Sequence, residues 1–203
     1  MANNNQIYKM SNAGGFKSLT RYYDMLAGNT TWNPWEPQGA YDALATVTVP
    51  SGGVASVTFA GIPTGYKHLQ IRCMARSTAG GSSVTGMNCS INGGTNAVRN
   101  HYLYGNGSST SAGAQVANQI GWATGTSQTV STFAVSIVDI LDYANTSKNK
   151  TFRALAGDDV NGGGDIALFS QLFDTTSAIS SLSISLGAGN FAEFSQFALY
   201  GVK

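Results

Sequence analysis

This sequence predicts an all-β fold, an antiparallel two-sheet sandwich of jelly-roll type, on three observations. Apolar and small polar residues alternate in Ala45-Thr46-Val47-Thr48-Val49, Ala55-Ser56-Val57-Thr58-Phe59 and Leu182-Ser183-Ile184-Ser185-Leu186. A period of two marks a strand with one buried and one wet face. Turn signals then separate successive alternating segments: Pro50-Ser51-Gly52-Gly53, Gly61-Ile62-Pro63-Thr64-Gly65, Asn92-Gly93-Gly94, Gly105-Asn106-Gly107 and Asn161-Gly162-Gly163-Gly164, the punctuation of a sandwich or barrel. Finally, the wet faces carry Ser and Thr. Charged residues are 10% of the chain, against about 25% in an average soluble domain.

The first element is expected to be an adaptor arm, residues 1–40, ahead of a sandwich over 41–203. Within the arm, Phe16, Leu19, Tyr22, Tyr23 and Leu26 recur at helical spacing, with Ser11 or Asn12 as N-cap and Gly28 as a stop, predicting a short helix with one apolar stripe. A helix of about three turns is not stable alone and must dock on something. Trp32-Asn33-Pro34-Trp35-Glu36-Pro37 reads as an extended connector, since proline restricts helix and sheet interior, and its two tryptophans are anchors for this domain or a neighbour. Strands are expected near 43–49, 54–60, 66–76, 86–92, 98–104, 115–123, 130–143, 150–156, 165–173, 179–186 and 194–202. In the seventh of these the apolar beat passes through Phe133, Val135 and Ile137, then shifts to Val138 and Ile140, which predicts a β-bulge or a change of sheet. In the ninth, Ile166, Leu168 and Leu172 lie on one face and Phe169 and Phe173 on the other. A strand apolar on both faces points to a subunit interface or a covering segment.

Composition excludes several functions. A net charge of +1 with scattered basic residues offers no patch to neutralise a run of phosphates, so no nucleic-acid partner is expected. No apolar run approaches the ~20 residues of a spanning helix, and Met1-Ala2-Asn3-Asn4-Asn5-Gln6 lacks the regions of a signal peptide. Membrane insertion is therefore not expected, and folding in a cytoplasm is. Cys73 and Cys89 fall on apolar beats and read as buried small hydrophobes; whether they pair depends on a Cα separation that spacing does not fix. His68 and His101 lie on different segments, and no metal or cofactor is expected.

Candidate chemistry is sparse. Asp158 with Asp159, or Asp139 with Asp142, are the nominal carboxylate pairs for glycoside hydrolysis. Neighbours on a strand point to opposite faces, and no nucleophile, base and orienter set accompanies them, so the chain is expected to be non-enzymatic. The run Asp158 to Asp165 could cradle calcium but departs from EF-hand spacing, and a Gly-rich hairpin is the simpler reading. His68, Gln70, Arg72, Met74 and Arg76 share one strand face opposite Leu69, Ile71, Cys73 and Ala75, a polar stripe for a glycan or acidic partner, or a solvated sheet face. Tyr104 and Asn106, with Asp159 and Asn161 of the glycine-rich turn, are the candidate surface-binding residues, since such rims meet sugars. Alternating Tyr102 and Tyr104 also suit cross-strand packing.

Tyr66-Lys67-His68-Leu69-Gln70-Ile71-Arg72, His101 to Gly107, Val138-Asp139-Ile140-Leu141-Asp142-Tyr143 with Lys148-Asn149-Lys150-Thr151, and Phe197 to Lys203 resemble a β-sandwich domain of tailed-bacteriophage virion structural proteins. The resemblance covers roughly residues 41–203. It implies a virion protein assembled in the host cytoplasm, tail-fibre-like or tail-associated, that brings no catalytic motif. On this reading Phe16, Leu19, Tyr22, Tyr23, Leu26, Trp32 and Trp35 dock on other virion proteins, the chain is a homotrimer, and sandwich loops meet a host-surface glycan. The alternatives are a capsid decoration protein cementing the head shell and, further off, a polysaccharide depolymerase using Asp158 and Asp159.

Overall fold

Alternation dictates strands here because each apolar beat must leave water while the backbone between beats must still find hydrogen bonds, which only a neighbouring strand supplies. The computed structural model describes residues 40–81, 83–94, 98–115, 117–160 and 162–203. Their strands are β1 (Tyr41–Thr48), β2 (Ser56–Ala60), β3 (His68–Ala75), β4 (Val84–Ile91), β5 (Val98–Gly105), β6 (Thr110–Gln115), β7 (Gln119–Thr124), β8 (Ala134–Leu141), β9 (Lys150–Asp159), β10 (Gly164–Phe173), β11 (Ser181–Leu186) and β12 (Gln196–Val202). Among the described residues there is no helix. The predicted helix and the anchors Phe16, Leu19, Tyr22, Tyr23, Leu26, Trp32 and Trp35 lie outside them, as does Asn161.

The strands form two sheets, eight in the order β1-β12-β3-β8-β9-β10-β5-β6 and four in the order β2-β11-β4-β7. Every ladder in both is antiparallel. One apolar cluster joins them: Val57, Phe59, Met87, Ile91, Ile120, Leu182 and Ile184 of the small sheet meet Leu69, Ile71, Val138, Ile140, Phe152, Phe169 and Phe197 of the large one. Phe191 packs edge-on to Phe197 with ring centroids 4.8 Å apart, and Phe152 lies 4.5 Å from Phe173. Such pairs add to the burial of area that holds two sheets together. Cys73 and Cys89 are buried and free within this core, and burial pushes both thiols up to about 12.

Two expectations are corrected. The segment 115–123 forms a strand only from Gln119, as β7 of the small sheet, and β6 (Thr110–Gln115) of the large sheet lies where no strand is expected, because its small residues carry no apolar beat. The shifted beat of residues 133–140 is not a bulge. β8 keeps unbroken register with β3 from Ala134 to Ile140 and with β9 from Val135 to Leu141. Val138 and Ile140 face the core while Val135 and Ile137 face outward and are exposed. The strand is regular and apolar on both sides, which imitates a slip of phase. The register shifts occur elsewhere, between Ala43 and Ala45 and between Met87 and Asn88.

At Gly121 β7 of the small sheet comes close against β8 and β9 of the large one. The Gly121 φ is +150°, and a Cβ there would strike Ser136 Oγ and lie 3.1 Å from the Ala156 Cβ. A Gly121→Ala chain is expected to lose about 2 kcal/mol or more in urea unfolding. Adding Ser136→Ala, which removes a buried hydroxyl that has no hydrogen-bond partner, should recover part of that loss.

Candidate binding surfaces

The outer face of the large sheet is built by register. Arg72, Ile137, Leu155, Leu168 and Leu103 are successive cross-strand partners on β3, β8, β9, β10 and β5, so one row carries four aliphatic side chains in line. Leu168 and Leu103 are each 54% exposed, and Ile166, in the next row, is 60% exposed. That next row runs Met74, Val135, Gly157, Ile166. Gly157 leaves a dip between its neighbours, and a groove of about 820 Å³ crosses this part of the face. On the other side of the aliphatic row lies a polar one, Asp139, Arg153, Ser170 and His101. A second groove, of about 550 Å³, opens between the two rows. The expectation that residues 165–173 have two apolar faces holds: Phe169 and Phe173 are buried, while Ile166, Leu168 and Leu172 are exposed.

Opposite charges stand at the two ends of the larger groove. Arg72 donates from Nε to Gln70 Oε1 at 2.7 Å, and its guanidinium carbon is 5.3 Å and 5.1 Å from the ring centroids of Tyr41 and Tyr200. Cation–π contact with these two rings, which stand edge-on to each other, steadies the cation on the surface. Gln70 in turn donates to Asp139 Oδ1 at 2.7 Å. At the far end Asp159 is exposed on the same face.

Of the predicted surface-binding residues, Tyr104 points inward rather than outward. Its hydroxyl donates to Asp165 Oδ1 at 2.8 Å, and its ring stands edge-on to Trp122 at 5.9 Å, with Trp122 a further 5.5 Å from Phe169. The hydrogen bond to Asp165 and then burial hold the Tyr104 proton more tightly than in free tyrosine. Asn106 is a loop lock: its Oδ1 accepts from the backbone N–H of Ser108 at 3.0 Å and of Ser109 at 2.8 Å, closing the β5–β6 hairpin. Asp158 sits opposite Asp165 in the β9–β10 ladder. Burial, and next the charge of Asp165, raise its carboxyl above the usual range, and its Oδ1 is shielded without a hydrogen-bond partner. Trp122, Asp158 and Asp165 form this inner cluster with Tyr104. The symmetry of the hairpin about the glycine-rich turn was the signal that pairs Asp158 with Asp165.

The nominal carboxylate pairs do not converge. Asp158 faces the core side of β9 and Asp159 the outer side; Asp139 accepts from Gln70, and Asp142 accepts from Lys148 Nζ at 2.7 Å. The run Asp158 to Asp165 closes as a hairpin, with the Val160 N–H on Gly163 O at 3.0 Å. Among the described residues no three His, Cys, Asp or Glu side chains gather to hold a metal ion.

No protein-family model, curated protein or solved structure matches this chain.

Because the Asp158 pKa is raised, its ionised form opposes folding at neutral pH, and the opposition ends below the unfolded carboxylate range. Asp158→Asn is expected to raise the melting temperature by about 2 °C at pH 7 and to match the unsubstituted chain below about pH 4. Calorimetry across that interval checks both limits.

Proposed function

We propose that this chain is a structural protein of a tailed-bacteriophage virion, tail-associated, acting by binding without turnover. The observation that carries the reading is the row of exposed aliphatic side chains on the outer face of the large sheet, Ile137, Leu155, Leu168 and Leu103. A wet sheet face ordinarily alternates to polar residues, and an apolar one is suited to being covered by protein. The resemblance of residues 41–203 to virion sandwich domains supplies the particle. The same reading gives residues 1–40 the attachment role and leaves the β5–β6 and β9–β10 turns for host-surface glycans.

Jelly-roll winding belongs to this reading, and the strand order supports it. Take β2 to β7 as the first six strands, the β8–β9–β10 meander as the seventh and β11 as the eighth. The small sheet then reads 1-8-3-6 and the inner part of the large sheet 2-7-4-5. That is the order produced by winding a long hairpin of eight strands into two Greek keys. β1 and β12 extend the large sheet at one side.

Antibody labelling of intact particles, with copy number from quantitative mass spectrometry, tests the proposal. Few copies at the tail are expected. Many copies over the head would replace the tail assignment with capsid decoration, and absence from purified particles would overturn the virion reading altogether.

A further inference from the structure

The larger groove has an aromatic-flanked cation at one end, a carboxylate at the other and an apolar floor between. Arg72 stands on β3 in the row of Ile137 and Leu155, whereas Asp159 stands on β9 four residues beyond Leu155. The two charges are thus separated by two strand spacings, about 10 Å, and about 13 Å along the strands. They lie on a diagonal whose midpoint falls close to Val135. A charge of each sign placed symmetrically about an apolar centre is self-complementary: a two-fold axis lying in the face through that centre brings Arg72 of one chain onto Asp159 of the other, twice.

We propose that the outer face of the large sheet pairs with the same face of a second copy of this chain about such an axis, each Arg72 meeting the Asp159 of its mate and the aliphatic rows closing between them. Three further observations favour a second copy as the occupant. A net charge of +1 leaves little mutual repulsion between copies. The six strands from β12 to β5, at about 4.8 Å spacing and about 26 Å length, present roughly 750 Å², close to the ~800 Å² that each partner contributes to a stable interface. The cation is also already held in place by Tyr41, Tyr200 and Gln70, so little side-chain freedom remains to be lost on pairing. A three-fold arrangement with the strands along the axis would need both charges at one height, and they are offset.

This inference does not rest on the virion reading, because self-pairing in solution is measured without particles. Sedimentation of the full chain at micromolar concentration should give a dimer, and Leu155→Lys should give a monomer. Arg72→Glu and Asp159→Arg should each weaken the dimer by about tenfold. The two together should restore it to within about threefold, since the charges have only exchanged ends. Circular dichroism establishes that each variant is folded, and Asp159→Arg carries the test should Arg72→Glu disturb the contact with Tyr41 and Tyr200. A monomeric or trimeric unsubstituted chain, or a double variant no tighter than the singles, would overturn the pairing.

Discussion

Eight strands cannot be covered by four. The inner face of the large sheet is about twice as wide as the small sheet laid over it, and much of the structure answers that mismatch. Where the small sheet ends at β7, Trp122, Tyr102, Tyr104 and Phe169 extend the cover with large rings, each burying more area than an aliphatic side chain. On the other side the loops around Phe191 and Tyr66 do the same, Phe191 being fully buried. β1 and β6 lie at the flanks of the large sheet, and their residues stay exposed or half-buried throughout. Those strands are held chiefly by their ladders.

Two polar side chains forced inside by this arrangement, Lys150 and Tyr143, are met by backbone oxygens. Lys150 is 1% exposed, and its ammonium donates to the carbonyls of Asn145, Lys148 and Thr176, joining the turn after β8 to the loop after β10. Asp142, with φ of +48°, anchors the same turn through Lys148, and its backbone N–H donates to His68 Nδ1 at 3.0 Å. The lysine holds its own turn carbonyls and the aspartate its own turn cation, so the corner is closed with most of its donors and acceptors used locally. The Tyr143 hydroxyl donates to the Pro63 carbonyl. The work of Lys150, Asp142, His68 and Tyr143 is to turn corners in the sandwich.

Alternation in the sequence located nearly every strand because most faces divide cleanly into apolar and polar. It misled where that division fails. β8 is apolar on both sides, so a period of two vanished from a perfectly regular strand; β6 is built of small and polar residues without an apolar beat, so alternation does not reveal it. The binding surfaces were legible in proportion to their locality. The double apolar character of 165–173 was visible because it sits in one segment. Tyr104 was identified as an aromatic at a loop, yet its inward direction depends on Trp122 and Asp165, which only the sheet order brings near. The diagonal from Arg72 to Asp159 needs three strands placed side by side from distant parts of the chain.

Among the described residues, ion pairs involve only two aspartates, Asp42 and Asp142, with Lys203, Lys148 and His68 at the surface. Most other contacts among these residues are hydroxyl, amide, backbone or apolar, which dissolved ions screen less than they screen pairs of exposed charges. The consequence is a fold whose stability is expected to change little between dilute buffer and strong brine.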